Sequence, residues 1–565
     1  MAQLACRYGI VPAALVLSGL ACGSVLAAPS AMAPPAEAVP ISAAVRPTIS
    51  AAAPAFELTL DAKAFIGAYS GRVYVVMTPG GSGKREPRLN VNNWFRPPMI
   101  LSLDVRDVQP GQRVVVRGGA SSLTSKPGEV ITYPAMAAEL TAALSKAERV
   151  TVQAIARLSK TGAVPGQSEG DIVSEPVVAE IASGDATSET EKPLALVLSR
   201  SVVKQSMKTT ARVREFKMKS AVLSKFHGAD YTVHAGIALP ESWSEEARAK
   251  GQSWPIIYSV TGFGGDHREI AGGRGRNKSD AIVVIPDATN RHGHSVFADS
   301  ANTGPWGEML VMEMIPAIEQ EFGGPISASA AGEPTSARLA ASSARRVTTG
   351  VSSGGWSSLW LVVTYPDVFD SCWSHVPDPV DFRDFQRIDL TASAKPAGVN
   401  MYVDADGAPR PIARIGDTAS LYYKEFVLVE RALGAGGQID SFEAVFSPKG
   451  ADGLPMPIFD RATGNVDAKV AAAWEKYDIR LILERDWATL GPKLSGKLHV
   501  YAGEMDNFYL EGAARLLKDS LSALGSDAEV QIVEEMGHRL YGRGESKMHE
   551  RIVQRQAEFA ASQKK

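Results

Sequence analysis

The pattern Gly350-x-Ser352-x-Gly354 supplies a serine between two glycines, a spacing that suits nucleophilic chemistry. A serine at a sharp strand-to-helix turn exposes its hydroxyl, and the flanking glycines let neighbouring backbone approach without a Cβ clash. Residues 345–349 can end a strand, and residues 356–365 can form a buried helix. We therefore predict Ser352 as a nucleophile. A loop that is merely rich in glycine and serine is the alternative.

A serine hydroxyl needs a base within hydrogen-bond reach, and the base needs an acid that orients it. For a serine in this pattern the chain order is nucleophile, acid, histidine. Three of the nine histidines lie in the final region where the base belongs. His538 follows a strand pattern directly, after Gly537, and is the predicted base. His499 lies inside a strand pattern, and His549 lies in a charged helical pattern.

The acid is expected in the loop that follows the preceding strand pattern, residues 497–502. Asp506 lies in that loop, 32 residues before His538, which leaves room for one helix and one strand. We predict Asp506 as the acid, with Glu504 as the rival in the same loop. More distant rivals are Asp404 and Asp406.

The tetrahedral intermediate of acyl transfer needs backbone N–H donors for its oxyanion. One donor is expected from Ser353, the residue after the nucleophile. The other is expected from Phe263 or Gly264, because an apolar strand pattern at 255–261 breaks there into a glycine cluster.

A further segment, 297–308, leads through Pro and Gly into a helical pattern. Asn302 and Trp306 in this segment are candidates for the substrate pocket, although Asn302 is equally suited to organising a turn. No metal site is predicted, because the pairs His292/His294 and Asp378/Asp381 lack a third ligand at a recognisable spacing.

The chain has 565 residues with a net charge of −3, and its 59 basic residues are balanced by 62 acidic ones. This balance excludes polyanions such as nucleic acid as expected partners. Residues 1–27 read as a secretory signal, with a basic end, an apolar stretch and small residues at the cleavage site. We therefore expect a periplasmic or secreted protein with no membrane-spanning segment after signal removal. Cys22 leaves a lipid anchor as a minority alternative.

Cys372 would be the one cysteine left after the leader, so no internal disulfide is expected. Its apolar surroundings favour a buried structural thiol over a nucleophile.

The remaining chain divides by composition and periodicity. Residues 28–54, rich in Ala and Pro, are predicted to be a linker. Residues 55–214 show short alternating runs at 56–60, 71–77, 99–105, 113–117 and 151–156, which predict an all-β sandwich-like module.

From residue 215 to 565 the pattern alternates between strands and helices and predicts a parallel, helix-covered sheet. Strands are predicted at 231–239, 254–260, 281–285, 345–349, 497–502 and 529–534. Helices are predicted at 307–322, 353–365, 512–524 and 547–561. Residues 377–490 interrupt this rhythm and are predicted to form a cap or lid over the site.

Five motifs together resemble the branch of α/β-hydrolases that includes esterase D, feruloyl and acetylxylan esterases, and enterochelin esterases. They are Gly262-Phe-Gly-Gly, Gly304-Pro-Trp-Gly, Gly350-Val-Ser-Ser-Gly-Gly, Gly503-Glu-Met-Asp-Asn-Phe-Tyr and Gly537-His538. The resemblance covers roughly residues 215–560 and implies an α/β-hydrolase domain with a cofactor-free Ser-His-Asp site made of Ser352, His538 and Asp506. The sequence departs from the branch in its large insertion and in Thr261, which stands where many esterases have His.

These observations predict an exported serine carboxylesterase acting on a small or polysaccharide-linked ester, for example an acyl or feruloyl ester. An acyltransferase or a peptidase could use the same three residues, and a non-catalytic binding protein of the cell envelope is the alternative from another class.

Overall fold

The computed structural model describes residues 46–81, 85–119, 128–182, 192–203, 206–273, 280–323, 335–342, 345–394, 398–540 and 542–562. The predicted leader and residues 28–45 of the predicted linker lie outside this part of the chain. Residues 46–565 belong to one compact body. Within the described residues, no helix combines the length and the apolar character needed to cross a membrane.

The N-terminal module, which we define as residues 46–203, contains strands of two sheets and a helix. The strands are β1 (Thr48–Ser50), β2 (Ala55–Leu60), β3 (Tyr69–Pro79), β4 (Met99–Val108), β5 (Arg113–Arg117), β6 (Ile131–Tyr133), β7 (Arg149–Ala156), β8 (Ile172–Val173), β9 (Val177–Ala182), β10 (Leu194–Leu198) and β11 (Arg200–Ser201). Helix α1 spans Ala137–Ser145, and a 3₁₀ turn spans Pro87–Asn90.

One sheet of the module has the order β1-β9-β7-β3-β4-β6, with β8 bridging β7 and β11, and the other has the order β10-β2-β5. Two features differ from the sequence prediction. Strand β1, which pairs with β9, lies inside the stretch expected to be a linker. Helix α1 also makes the module not purely β, because Leu140 and Leu144 of that helix close one side of its core.

Strand β3 is buried on both faces, which explains its unbroken apolar run. Val73, Val75 and Met77 point into the module core, whereas Tyr74 and Val76 pack in a second cluster with side chains from residues 429–433. Because side chains alternate across a strand, a strand covered on both sides needs apolar residues at consecutive positions.

The second part of the chain is built on a larger sheet. Its strands are β12 (Val213–Lys219), β13 (Thr232–Ala238), β14 (Ile256–Val260), β15 (Ile282–Pro286), β20 (Arg346–Val351), β21 (Ser371–His375), β24 (Leu498–Gly503) and β25 (Glu529–Val533). Short ribbons are formed by β16 (Thr289–Asn290) with β17 (Gly293–His294), β18 (Asp299–Ser300) with β19 (Gly304–Pro305), and β22 (Pro411–Ile415) with β23 (Thr418–Tyr422).

The helices of this part alternate with the strands. They are α2 (Ala221–His227), α3 (Glu245–Ala249), α4 (Trp306–Glu308), α5 (Ile315–Ile318), α6 (Thr335–Ala341), α7 (Ser353–Thr364), α8 (Tyr423–Leu433), α9 (Gln438–Phe446), α10 (Ala468–Trp474), α11 (Ile479–Leu494), α12 (Glu511–Ala523) and α13 (Glu545–Ser562). Wider π turns at Met309–Met314 and Glu319–Gly323 continue α4 and α5. Further 3₁₀ turns lie at His267–Gly272, Phe382–Asp384, Leu390–Ala394 and Glu475–Tyr477.

In the described residues the large sheet has the order β12-β13-β15-β14-β20-β21-β24-β25. The pairs β12/β13 and β13/β15 are antiparallel, and the remaining neighbours are parallel. Both faces are covered, because Ile256 and Tyr258 pack with α7 while Ile257 packs in a separate cluster with Ile552 of α13. The chain is therefore a mixed α/β protein, as predicted.

The strands predicted from the sequence are found within three residues of their expected bounds. In the large sheet β12 and β21 were not predicted, and neither were the short ribbons nor β1, β6 and β8 to β11 of the module. Strand β12 is amphipathic and lies at the sheet edge, so it lacks the apolar run of a central strand. Because β12 begins at Val213, the large sheet starts before the predicted boundary at residue 214.

The stretch between β21 and β24 contains the predicted cap. Its ribbon β22–β23 and helices α8 to α10 lie outside the sheet, and their aromatic side chains, including Phe442, Phe446 and Trp474, pack together. Helix α11, however, packs against α7 and α12, so it belongs to the helical layer on the sheet. The cap therefore ends near residue 478 and not at residue 490 as predicted.

The N-terminal module is joined to the cap through hydrogen bonds to the end of α8. The Tyr74 hydroxyl donates to the carbonyl of Leu433 over 2.7 Å, and Arg157 donates to the carbonyl of Ala435. Arg157 also donates to the carbonyl of Arg291 over 3.0 Å, so one buried guanidinium connects the module, the cap and a loop of the large sheet.

A buried ion pair holds β20, the strand that leads to Ser352. The Arg346 guanidinium contacts both carboxylate oxygens of Glu319 at 2.5 and 2.9 Å, and both side chains are almost fully inaccessible. Removing one partner of a buried pair leaves an uncompensated charge. We expect Glu319→Gln to lower the free energy of unfolding by about 3–5 kcal/mol in urea denaturation.

The matched control is Asp367→Asn, which breaks the exposed pair between Asp367 and Lys493. This change is expected to cost less than about 1 kcal/mol. Equal effects of the two substitutions would show that the buried pair does not anchor β20.

Candidate active site

Ser352 lies at the turn between β20 and α7 with a backbone conformation of φ 60° and ψ −124°. Positive φ is costly for a residue with a side chain, and it persists only where the surroundings fix it. A Cβ at Gly350 would lie 2.2 Å from the carbonyl oxygen of Gly354, and a Cβ at Gly354 would lie 2.2 Å from that of Val260. Both glycines are therefore required by the close crossing of backbone, as the pattern predicted.

His538 and Asp506 are hydrogen-bonded. The Nδ1 atom of His538 lies 2.8 Å from Oδ2 of Asp506, and the Asp506 side chain is completely buried. The other Asp506 oxygen accepts the Phe508 amide over 2.8 Å. With Nδ1–H donated to Asp506, Nε2 of a neutral imidazole is a proton acceptor.

The loop that carries Asp506 is fixed from the cap. Arg414 donates from Nε to the carbonyl of Asp506 over 2.9 Å and pairs with Glu511 over 2.7 Å. The Asn507 side chain accepts a hydrogen bond from the His538 amide and donates one to the carbonyl of Arg414. Contacts from the cap thus fix the positions of Asp506 and His538 relative to each other, a role that we did not predict for the cap.

Ser352 and His538 line the same cavity, but in this structure the Ser352 hydroxyl donates to Oδ1 of Asp378 over 3.3 Å. Among the hydrogen bonds of the described residues, none joins Ser352 to His538. Oδ2 of Asp378 accepts the Ser353 hydroxyl over 2.5 Å. Burial raises the pKa of Asp378 to about 6, although the two serine hydroxyls and His538 act in the opposite direction.

Asp378 is the main site residue that the sequence analysis missed, since it was considered only for a metal pair with Asp381. It follows β21, the parallel neighbour of β20, at the same edge of the sheet as Ser352. The available signal was an acidic residue directly after a buried strand, and β21 itself was not predicted.

The loop after β14, in which an oxyanion donor was predicted, lies against Ser352. A Cβ at Gly262 would lie 3.4 Å from Cβ of Ser352, and Phe263 lines the cavity. Gly264 has φ +83° and borders a neighbouring cavity. Ser353 begins α7 directly after Ser352, so its amide lies at the helix N-terminus.

His294 supports this loop. Its Nε2 lies 3.1 Å from the carbonyl of Thr261, and its Nδ1 accepts the Val296 amide over 3.0 Å. This pattern requires a neutral ring with the proton on Nε2. Complete burial lowers the pKa of His294 to about 4, so the ring stays neutral near pH 7.

The cavity that contains Ser352 has a volume of about 240 Å³. Its walls come from three parts of the chain: the N-terminal module, the sheet loops and the cap. The lining side chains with large apolar surfaces are Trp94, Phe263, Ile412, Leu421, Phe426, Ile439, Phe442, Phe508 and Leu510. Glu269, Gln386 and Gln438 add polar groups to those of Ser352, Asp378 and His538.

Asn302 and Trp306, the candidates for the substrate pocket, are not among the residues that line this cavity. The Asn302 amide donates to the carbonyls of Ala444 and Ser447 and so fastens α9 of the cap. Trp306 is buried against Tyr231 and borders the neighbouring cavity.

The histidines and carboxylates named as alternatives to His538 and Asp506 each have other partners. His499 stacks on Trp373 with ring centroids 3.8 Å apart. His549 lies 3.4 Å from Glu545. Glu504 pairs with Arg515, and Asp404 pairs with Arg387. Asp406 accepts the amide of Ala408 in a turn. Burial raises the pKa of the Cys372 thiol to about 12, which is unsuitable for a nucleophile.

No protein-family model and no curated protein matches the chain. Solved structures with similarity include an S-formylglutathione hydrolase from Agrobacterium tumefaciens, 16% identical over 62% of this chain and 98% of that one, with a TM-score of 0.34. A fluorophosphonate-binding serine hydrolase, FphF of Staphylococcus aureus, is 13% identical over 61% of this chain and 97% of that one, with a TM-score of 0.34.

A ferulic acid esterase from Anaeromyces mucronatus is 11% identical over 62% of this chain and 92% of that one, with a TM-score of 0.28. These similar structures are esterases and serine hydrolases, the classes that the motifs resemble. Because the TM-scores are low, the chemistry inferred for this chain depends on its own strand order and side chains.

The raised pKa of Asp378 makes stability depend on pH. The folded protein binds the Asp378 proton more tightly than the unfolded chain, so this contribution is complete below pH 3.8 and is lost as the pH rises through about 6. Asp378→Asn removes the titration. Relative to the parent, its free energy of unfolding should therefore rise by up to about 3 kcal/mol between pH 4 and pH 7.

Urea denaturation at a series of pH values measures this difference. Ser357→Ala, a buried change without a titrating group, should show a constant difference from the parent over the same range. A constant difference for Asp378→Asn as well would contradict a raised pKa.

Proposed function

We propose that the chain is a serine carboxylesterase with an α/β-hydrolase domain, in which Ser352 is the nucleophile, His538 the base and Asp506 the acid. The observation that carries this proposal is the hydrogen-bonded pair of His538 and Asp506, which shares one cavity with a serine in a strained strand-to-helix turn. The sheet order gives further support, because Ser352, Asp506 and His538 follow the parallel strands β20, β24 and β25 at one edge.

In the proposed reaction, rotation of the Ser352 side chain moves its hydrogen bond from Asp378 to Nε2 of His538. The serine oxygen then bonds to the ester carbonyl carbon while His538 takes the hydroxyl proton, and Asp506 stabilises the imidazolium. The amides of Ser353 and of Phe263 or Gly264 donate hydrogen bonds to the oxyanion. The ester C–O bond breaks as His538 returns the proton to the leaving alcohol, and water then hydrolyses the acyl-enzyme.

The walls of the cavity favour a flat apolar acyl group, such as an aromatic or feruloyl ester, over a charged one. Trp94 lies against Phe263, Phe426 and Phe508, with ring centroids 5.7, 5.0 and 6.2 Å apart. Phe508 in turn meets the His538 ring edge-to-face at 4.8 Å. We propose that the N-terminal module contributes Trp94 to substrate binding. Export through the predicted leader remains part of the proposal, although the leader lies outside the described residues.

Ser352→Ala tests the nucleophile. Hydrolysis of p-nitrophenyl acetate should fall by about 10⁴-fold or more, because the residual activity comes from the oxyanion site and binding alone. Labelling by a fluorophosphonate should disappear as well. Ser357→Ala, one helical turn away in α7, is the control and should keep activity within about threefold of the parent. Folded parent protein that neither hydrolyses any ester nor reacts with the probe would favour a binding role.

Trp94→Ala tests the contribution of the module to the pocket. We expect kcat/KM for methyl ferulate to fall by about 3–10-fold, the loss expected from one aromatic contact, with a smaller change for p-nitrophenyl acetate. Leu89→Ala, an exposed position in the same segment, is the control. An equal loss for both esters would show that Trp94 supports the structure and does not select the acyl group.

A further inference from the structure

Three potential metal ligands outside the proposed active site converge at the antiparallel end of the large sheet. Among the described residues, one ring nitrogen of His234, one ring nitrogen of His267 and a carboxylate oxygen of Glu215 lie within 4.8 Å of one another. Oε1 of Glu215 is 3.2 Å from Nδ1 of His234 and 3.3 Å from Nε2 of His267. Ligand atoms of a tetrahedral zinc shell, each about 2.0–2.1 Å from the ion, lie roughly 3.3 Å apart.

The backbone is shaped to bring these side chains together. Lys217 on β12 is directly opposite His234 on β13, and Glu215 is two residues from Lys217 on the same strand. Glu215 and His234 therefore lie on the same face of this antiparallel pair. A Cβ at Gly236 would lie 2.2 Å from the carbonyl oxygen of His267, so this glycine lets the turn His267–Gly272 settle onto β13. The turn places the fully buried His267 ring beside the other two ligands.

A fourth residue fixes the tautomer of His267. Nδ1 of His267 lies 2.7 Å from Oδ2 of Asp287, whose other oxygen accepts the Thr289 amide over 2.9 Å. With Nδ1–H donated to Asp287, the lone pair of Nε2 faces the Glu215 carboxylate. The Nε2 lone pair and the carboxylate oxygen repel each other unless a proton or a cation lies between them. Metal-bound histidines commonly donate their second N–H to a carboxylate in this way.

We propose that His234, His267 and Glu215 bind a divalent cation of the zinc class, with Asp287 as the carboxylate that orients His267. Two imidazoles and one carboxylate form a recognised zinc ligand set that leaves a fourth position for water. Lys217, 3.2 Å from Oε2 of Glu215, neutralises the second carboxylate oxygen and leaves Oε1 for the cation.

The position of this cation gives it a structural role near the oxyanion loop. His267 follows Gly264 by three residues, so the cation would tie the loop of Phe263 and Gly264 to strands β12 and β13. His234 and Asp287 also border a cavity of about 1330 Å³ that is shared with Phe263 and Gly264. The site is therefore reachable for exchange of the ion from that cavity.

The test uses the full chain, treated with EDTA and then titrated with Zn²⁺ against a chromophoric chelator. We expect one tight zinc per chain and a rise in the thermal midpoint in zinc, because an ion that binds the folded state stabilises it. Co²⁺ in place of Zn²⁺ should give the visible absorption of a tetrahedral ion. His234→Gln, at a partly exposed position, should abolish these signals.

Two further variants separate a metal site from a proton-bridged hydrogen-bond cluster. Asp287→Asn keeps all three ligands and should weaken zinc binding by about 10–100-fold. His499→Gln, which removes a histidine paired with a single carboxylate, should leave zinc binding unchanged. The proposal is overturned if the parent chain takes up no zinc, or if folded His234→Gln and Glu215→Gln bind zinc as tightly as the parent.

Discussion

At the turn around Ser352, backbone segments lie so close together that no side chain would fit at Gly350 or Gly354. The carbonyl oxygens of Val260 and Gly354 occupy the places where side chains at Gly354 and Gly350 would begin. This crossing sets the strained conformation of Ser352 and presses the loop after β14 against the start of α7. The buried pair of Arg346 and Glu319 holds the strand that leads into the turn, so the position of the serine depends on packing far from its hydroxyl.

Two buried carboxylates near one histidine have different environments. Asp506 is bonded to His538 and to the Phe508 amide, so its charge is compensated by direct partners. Asp378 has two serine hydroxyls as partners and no cation in direct contact, and burial raises its pKa. Pairs of acids whose surroundings differ in this way are typical of sites that divide proton-transfer roles. Asp506 suits a hydrogen-bond acceptor that orients His538, and Asp378, whose pKa burial raises to about 6, suits a group that changes protonation near that pH.

Local patterns in the sequence were sufficient to predict the parts of this arrangement that depend on nearby residues. The turn at Ser352 and the loops of Asp506 and His538 each follow a strand of the large sheet, and glycine spacing marks two of them. Asp378 was missed because β21, the strand that precedes it, was not predicted. The cluster around His267 could not be predicted, because its members lie on separate elements that meet only through strand order. For Asn302 the sequence left a pocket role and a structural role open, and in the structure its side-chain amide donates to the carbonyls of Ala444 and Ser447.

The cap and the N-terminal module both contribute walls to the cavity that contains Ser352. Helix α8 of the cap packs on β3 of the module, and hydrogen bonds from Tyr74 and Arg157 hold its C-terminal end. Phe426 on the same helix meets Trp94 of the module at the cavity wall. A movement of α8 away from the sheet would therefore have to separate the module from the cap as well. Access to the cavity is accordingly a property of the whole chain, whereas the proposed chemistry belongs to the loops at one edge of the large sheet.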